Sequence, residues 1–217
     1  MGKKYEFITD KSFEINGHIL HRIRRISDGK IGGWIEKEDN LSQEGNCWIK
    51  YSARVFEDAK VYDNATIDGC AVIYGNAEVY GNAEVTNFAI IKGNAKIYEN
   101  ALVYDTAEIN QDAKIYGNAE VGGHSSICGS AKIYDDSEIH GSAYIADTAE
   151  VYGNAKIYDN AYVHENAKVY DNAEVYDNAE VYGNAKICGN SEVYDEGKVG
   201  GNVKLYNAGH GGTTLMS

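Results

Sequence analysis

Glu174-Val175-Tyr176-Asp177-Asn178-Ala179 is followed at once by Glu180-Val181-Tyr182-Gly183-Asn184-Ala185, and this six-residue phrase decides the fold. Counting the branched aliphatic residue as position one, the phrase recurs from Ile49 at every sixth residue to Leu205, giving 27 hexads without an insertion. Within a hexad the alanine and the aliphatic residue stand two apart. On an extended strand they point the same way, inward, while the charged residue between them and the tyrosine after them point outward. The Asp or Gly that follows, with the Asn, turns a corner, because such residues tolerate the left-handed backbone region. A helix is excluded, since a six-residue period drifts around a 3.6-residue helix and Asn-Gly phrases oppose helix formation.

Outward from this array, composition sets limits. The net charge is −13, and residues 1–48 balance at eight basic and eight acidic side chains, so the repeats carry the whole excess, 25 acidic against twelve basic. Such a surface repels free nucleic acid and suits solubility. The apolar runs are too short for a membrane span or a secretory leader. The four cysteines (Cys47, Cys70, Cys128, Cys188) are scattered with no CxxC pair, which points to a reduced, cytoplasmic protein and away from a zinc ribbon.

Three segments follow. Residues 1–48 read as a small β cap, with strands around Tyr5–Ile8 and Ile19–Ile26 and turn signals at Asn16-Gly17 and Asp28-Gly29. Trp34, Ile35 and Leu41 are its later apolar anchors. Residues 49–208 are the repeat and 209–217 a short tail. A repeat rod needs its first coil covered, or its open edges pair with other chains.

The phrase resembles the hexapeptide-repeat family, whose motif is an aliphatic residue, usually Gly, two variable residues, a small residue and one more. Val175-Tyr176-Asp177-Asn178-Ala179-Glu180 fits, with Tyr in place of Gly. The resemblance implies an all-β, left-handed parallel β-helix of triangular section, three hexads to a coil and about nine coils. Many members are trimers, and many are acyltransferases that use acyl-CoA and a histidine base. Here that implies His124 or His140, in the stretch that includes Val121-Gly122-Gly123-His124-Ser125-Ser126. A zinc site of the related anhydrase kind would need three grouped histidines; His124, His140 and His164 lack that grouping, and no metal is expected. Small, near-pure hexad chains with a cap of this kind resemble ones carried by bacterial and phage genomes, and a phage-encoded rod would sequester or antagonise a host component.

Three hexads per coil sort the outward residues into faces. One bears a tyrosine ladder (Tyr80, Tyr98, Tyr116, Tyr134) beside lysines (Lys96, Lys114, Lys132). It suits an acidic protein or a small nucleotide-like ligand, with lysine on phosphate and tyrosine on the base. A second face is mostly acidic. The third, with Phe56, Val72, Tyr74, Phe88, Ile90, Tyr144 and Tyr162, is the most apolar and is the expected contact with a partner or with further copies in a homo-oligomer. These ladders favour an interaction or scaffold protein without catalysis or cofactor. Acyl transfer from acyl-CoA is the other reading, and the interruptions at Phe88 and His124 are where specific function is expected.

Overall fold

Hexads with two inward apolar residues can bury them only by coiling, and the chain does so. The computed structural model describes residues 2–217. It is a parallel β-solenoid of about ten turns, in which three sheets of 13, 10 and 9 strands form the three sides. Each rung pairs with the one three hexads further along the chain: Glu84 lies beside Leu102, and Leu102 beside Glu120. The expected parallel coil with three hexads per turn is therefore the one that forms.

Every position-one aliphatic from Ile49 to Val199 is at most 1% exposed, and the alanines two positions earlier are fully buried. Ser125, Ser137 and Ser191 occupy alanine positions, and each hydroxyl donates to the carbonyl three positions back, at 2.7, 2.9 and 2.7 Å. That removes the cost of a buried hydroxyl. Ser125 is thus a core residue, not a reactive neighbour of His124.

The corners explain the acid excess. The third residue of all 27 hexads has positive φ, though only twelve of them are glycine. Its N–H lies outside the coil-to-coil ladder formed by the flanking residues, as in Lys96 N→Ala113 O, Tyr98 N→Ile115 O and Asn100 N→Gly117 O. A corner carboxylate one coil earlier accepts it: Gly81 N to Asp63, Gly117 N to Glu99, Gly153 N to Asp135 and Gly189 N to Asp171, at 2.9–3.2 Å. Acid and glycine alternate along this corner because the glycine lets the backbone of the next coil approach. A Cβ on Gly117 would stand 2.6 Å from Asp135 N. The acids are therefore structural acceptors, and each offsets part of the cost of a left-handed backbone.

The fourth residues form amide ladders. Asn64, Asn82, Asn100 and Asn118 hydrogen-bond in sequence at 3.0–3.1 Å. Asn100→Ala removes one donor and one acceptor bond at about 1 kcal/mol each, so the thermal midpoint should fall by roughly 4–8 °C. A circular-dichroism melt checks this; an unchanged midpoint would show the ladder to be idle surface.

The cap is built on the same rungs. Strand β1 (Tyr5–Ile15) and strand β2 (His18–Arg25) form an antiparallel hairpin that turns at Asn16-Gly17, both with positive φ. Strand β3 (Ile31–Ile35) pairs antiparallel with β2 and then parallel with Arg54-Val55. Ile35 and Leu41, one hexad apart, lie beside Val55 and Val61, so the inward spacing starts before Ile49. An insertion between Leu41 and Ile49 conceals that start in the sequence. Tyr5, Ile23 and Trp48 close the end of the core, and the Tyr5 hydroxyl donates to Leu41 O at 2.8 Å. At the other end, Gly209–Gly211 and Thr214–Met216 continue two sheets as strands.

Candidate functional site

Stacked rungs place like residues in columns, so the tyrosine ladder is real. The rings of Tyr62, Tyr80, Tyr98, Tyr116, Tyr134, Tyr152 and Tyr170 follow one another at 4.8–5.0 Å with planes within 7°. Each ring face inside the column lies against its neighbour. The lysines are partly engaged as well. Lys96 pairs with Glu78 at 2.9 Å, and Lys132 and Lys168 converge on Glu150 at 3.1 and 2.6 Å. Lys114, between Lys96 and Lys132 in register, has no ion pair among the described residues.

Glu150 exposes only 18% of its side chain. Hydrogen bonds from Lys168 and Lys132 outweigh burial and hold its carboxyl below the ordinary range. A depressed folded-state value gives stability that is complete above the unfolded value, about 4.3, and is lost as pH falls through the folded one. Glu150→Gln should therefore lower the midpoint at neutral pH and flatten its decline as pH falls below about 4.3. Melts at stepped pH read this, and parallel acid limbs in the two proteins would contradict it.

The apolar face divides. Phe56 is 4% exposed, stacked on Tyr74 at 5.2 Å and covered by His18 of the cap at 5.4 Å, so it is not a surface residue. The hairpin turns back over the first coil, which the repeat alone does not reveal. Val72, Ile90, Tyr74 and Tyr162 are half-buried, while Phe88 and Tyr144 are 63% and 40% exposed. Tyr144 lies 3.1 Å from Cys128 Sγ, and this contact pushes its phenol up to about 12.

The two interruptions come together. Phe88, Thr106 and His124 occupy the same corner on successive coils and line an open depression of about 300 Å³ with Asn87, Asp105 and Gly123. Thr106 Oγ1 is 3.0 Å from Gly123 O and 2.5 Å from His124 Nδ1. With its one proton given to the carbonyl, the hydroxyl accepts from Nδ1–H, which leaves Nε2 of His124 as the basic nitrogen. That is the tautomer a general base requires. The lining of the depression also carries Asp105, which already bridges Asn87 and Gly123 N.

His140 is not brought to this corner; it stacks on Tyr158 at 5.3 Å on the neighbouring face. His164 lies 3.9 Å from the Tyr162 ring and bonds Glu180 at 3.1 Å. Among the described residues, no group of three His, Cys, Asp or Glu side chains could hold a metal ion, and no helix is long and apolar enough to cross a membrane.

A larger concave surface lies on the cap, about 600 Å³, lined by Ile8, Lys11, Arg22, Arg24, Ile31 and Trp34. Periodicity gives no sign of it, because cross-strand pairing in a hairpin brings these residues together. One signal is present in the sequence: the arginines of the chain are Arg22, Arg24, Arg25 and Arg54, all in the cap or the first coil.

No family model matches the chain. An Escherichia coli K12 protein described as an uncharacterized acetyltransferase, YdcK, is 43% identical over 58 residues. That stretch is 24% of this chain and 18% of the relative, so the likeness spans less than a fifth of the relative's length.

Proposed function

The chain is a hexapeptide-repeat parallel β-solenoid, and on that premise we propose that it works in the cytoplasm as a non-catalytic interaction rod for a protein partner or further copies of itself. One observation carries this reading. The outward side chains are spent on neighbours one coil away, as tyrosine stacks, amide ladders and corner carboxylates, and do not converge on a reacting centre. Such ladders stiffen a rod and hold its exposed residues at fixed spacing. Exposed Phe88, with Tyr144, is the surface for self-association, which would make the trimer that the family resemblance implies.

A second reading, acetyl transfer from acetyl-CoA, is favoured by the Thr106-oriented His124 and by the name of the E. coli relative. In it, Nε2 of His124 removes a proton from the acceptor nucleophile as that attacks the thioester carbonyl, and the imidazolium returns the proton to the CoA thiolate that leaves as the C–S bond breaks. Titration calorimetry of the intact chain with acetyl-CoA separates the two readings. The interaction rod shows no binding heat. Binding together with acetyl transfer lost in His124→Ala would replace it with the enzyme.

A further inference from the structure

The cap groove has chemistry unlike the rest of the molecule. Its wall is the part of β1 between the Phe7↔Ile23 and Ser12↔His21 pairings, where the register shifts and the strand bulges. Its floor is the β2–β3 pair, with Arg22 directly opposite Trp34. The six lining residues are three cations and three apolar side chains, with no acid, in a chain whose net charge is −13.

Inside the groove the guanidinium of Arg22 lies 4.9 Å over the Trp34 ring, and Phe13 meets Trp34 edge-on at 4.7 Å. Arg54 in turn sits 5.6 Å over Phe13, and its buried Nε has no hydrogen-bond partner among the described residues. Arg24 and Arg25 have carboxylate partners, Glu6 and Asp28. Arg22, Arg54 and Lys11 have none among the described residues. The surface continues down the rod, since Trp34, Arg54, Val72 and Ile90 are outward neighbours on four successive rungs. At ~4.8 Å per rung, this strip is about 14 Å long, the span of roughly four extended residues.

We propose that the cap groove and this strip bind an extended acidic peptide segment of a partner protein. Carboxylates meet Arg22 and Lys11, an apolar side chain packs on Ile8 and Ile31, and the segment runs on over Arg54 to Val72 and Ile90. Trp and Arg side chains held in place by packing are the usual anchors of such contacts, and a guanidinium receives a carboxylate in a bidentate fork. Nucleic acid fits less well. A base would need the ring of Trp34, which is already covered by Arg22 and edged by Phe13. The proposal rests on the interaction-rod reading and gives its partner a chemistry.

The test is fluorescence polarisation of the full chain with a labelled peptide of alternating Glu and Leu, set against a Lys-Leu peptide of equal length. The Glu-Leu peptide should bind, weaken about tenfold or more in Arg22→Glu and in Lys11→Glu, and weaken as salt rises from about 50 to 300 mM. Lys204→Glu, at the far end, should change binding less than about twofold. Two variants guard against a folding artefact, because Lys11 is exposed on β1, and far-UV melts of both should match the parent. Equal binding of the two peptides, or binding indifferent to Arg22 and Lys11, overturns the proposal. So does self-association in sedimentation that depends on Arg22, which would make a second copy the occupant. No peptide binding by a chain that also ignores acetyl-CoA ends this proposal and spares the interaction reading; acetyl-CoA binding with transfer ends both.

Discussion

Raising the pH should ionise the stacked tyrosines only well above pH 10, so that a large part of the phenolate absorbance at 295 nm rises in a steep step that coincides with loss of β structure. Burial, then the neighbouring phenols Tyr116 and Tyr80, push Tyr98 up to about 12. Burial and the Glu192 carboxylate push Tyr176 to about 12 as well. Tyr62, Tyr134 and Tyr158 are displaced upward in the same way, with burial the first cause. A folded-state value above the unfolded one, about 10, means that the folded chain keeps its protons longer. The resulting stability is complete below about pH 10 and is lost as pH rises through about 12. Because the rings stack on one another, ionising one raises the cost of ionising the next, and the losses add along the column. Parallel absorbance and circular-dichroism titrations check this. Gradual ionisation centred on pH 10 with β structure intact would show that the ladder contributes no such linkage.

Gly33→Val should detach the cap from the rod. Gly33 is buried in β3, where an added Cβ would overlap Ile49 Cγ2 and stand 2.6 Å from Ala53 O. That carbonyl is fixed, because it accepts Trp34 N at 2.9 Å. Gly32, next along, is as tight: its added Cβ would lie 2.7 Å from both Ile23 and Trp48 side-chain atoms. Overpacking of this kind costs typically about 1–3 kcal/mol, more where backbone must move, which for a chain of this length is roughly 2–12 °C in the midpoint. The readout separates cap from rod. Both tryptophans, Trp34 and Trp48, belong to the cap region, whereas the far-UV signal comes mostly from the coils. Tryptophan emission should shift red well below the temperature at which β structure is lost. A single coincident transition at the parent temperature would show that the close approach is not a constraint.

The sequence alone determined the rod. A strict period of six with Ala and Val or Ile two apart has one economical solution, and the inward residues pair in the expected register. The three-face sorting also carried over, because columns follow directly from three hexads per turn. The uses of those columns depended on contacts across the coil. Tyrosines that look like a binding ladder cover one another's faces, and acids that look like surface charge accept the corner N–H groups. Phe56, apolar and outward by pattern, is covered by a hairpin whose return over the first coil follows no repeat. His124 gained an orienting partner only because Thr106 stands one coil beneath it. Likewise the cap groove depends on β1 bulging past β2 to set Lys11 against Arg22 and Trp34. Local periodicity fixes what points inward, since every coil repeats the same burial. What an outward side chain does is decided by its neighbour on the next coil, or by a segment outside the repeat, and these only folding brings alongside.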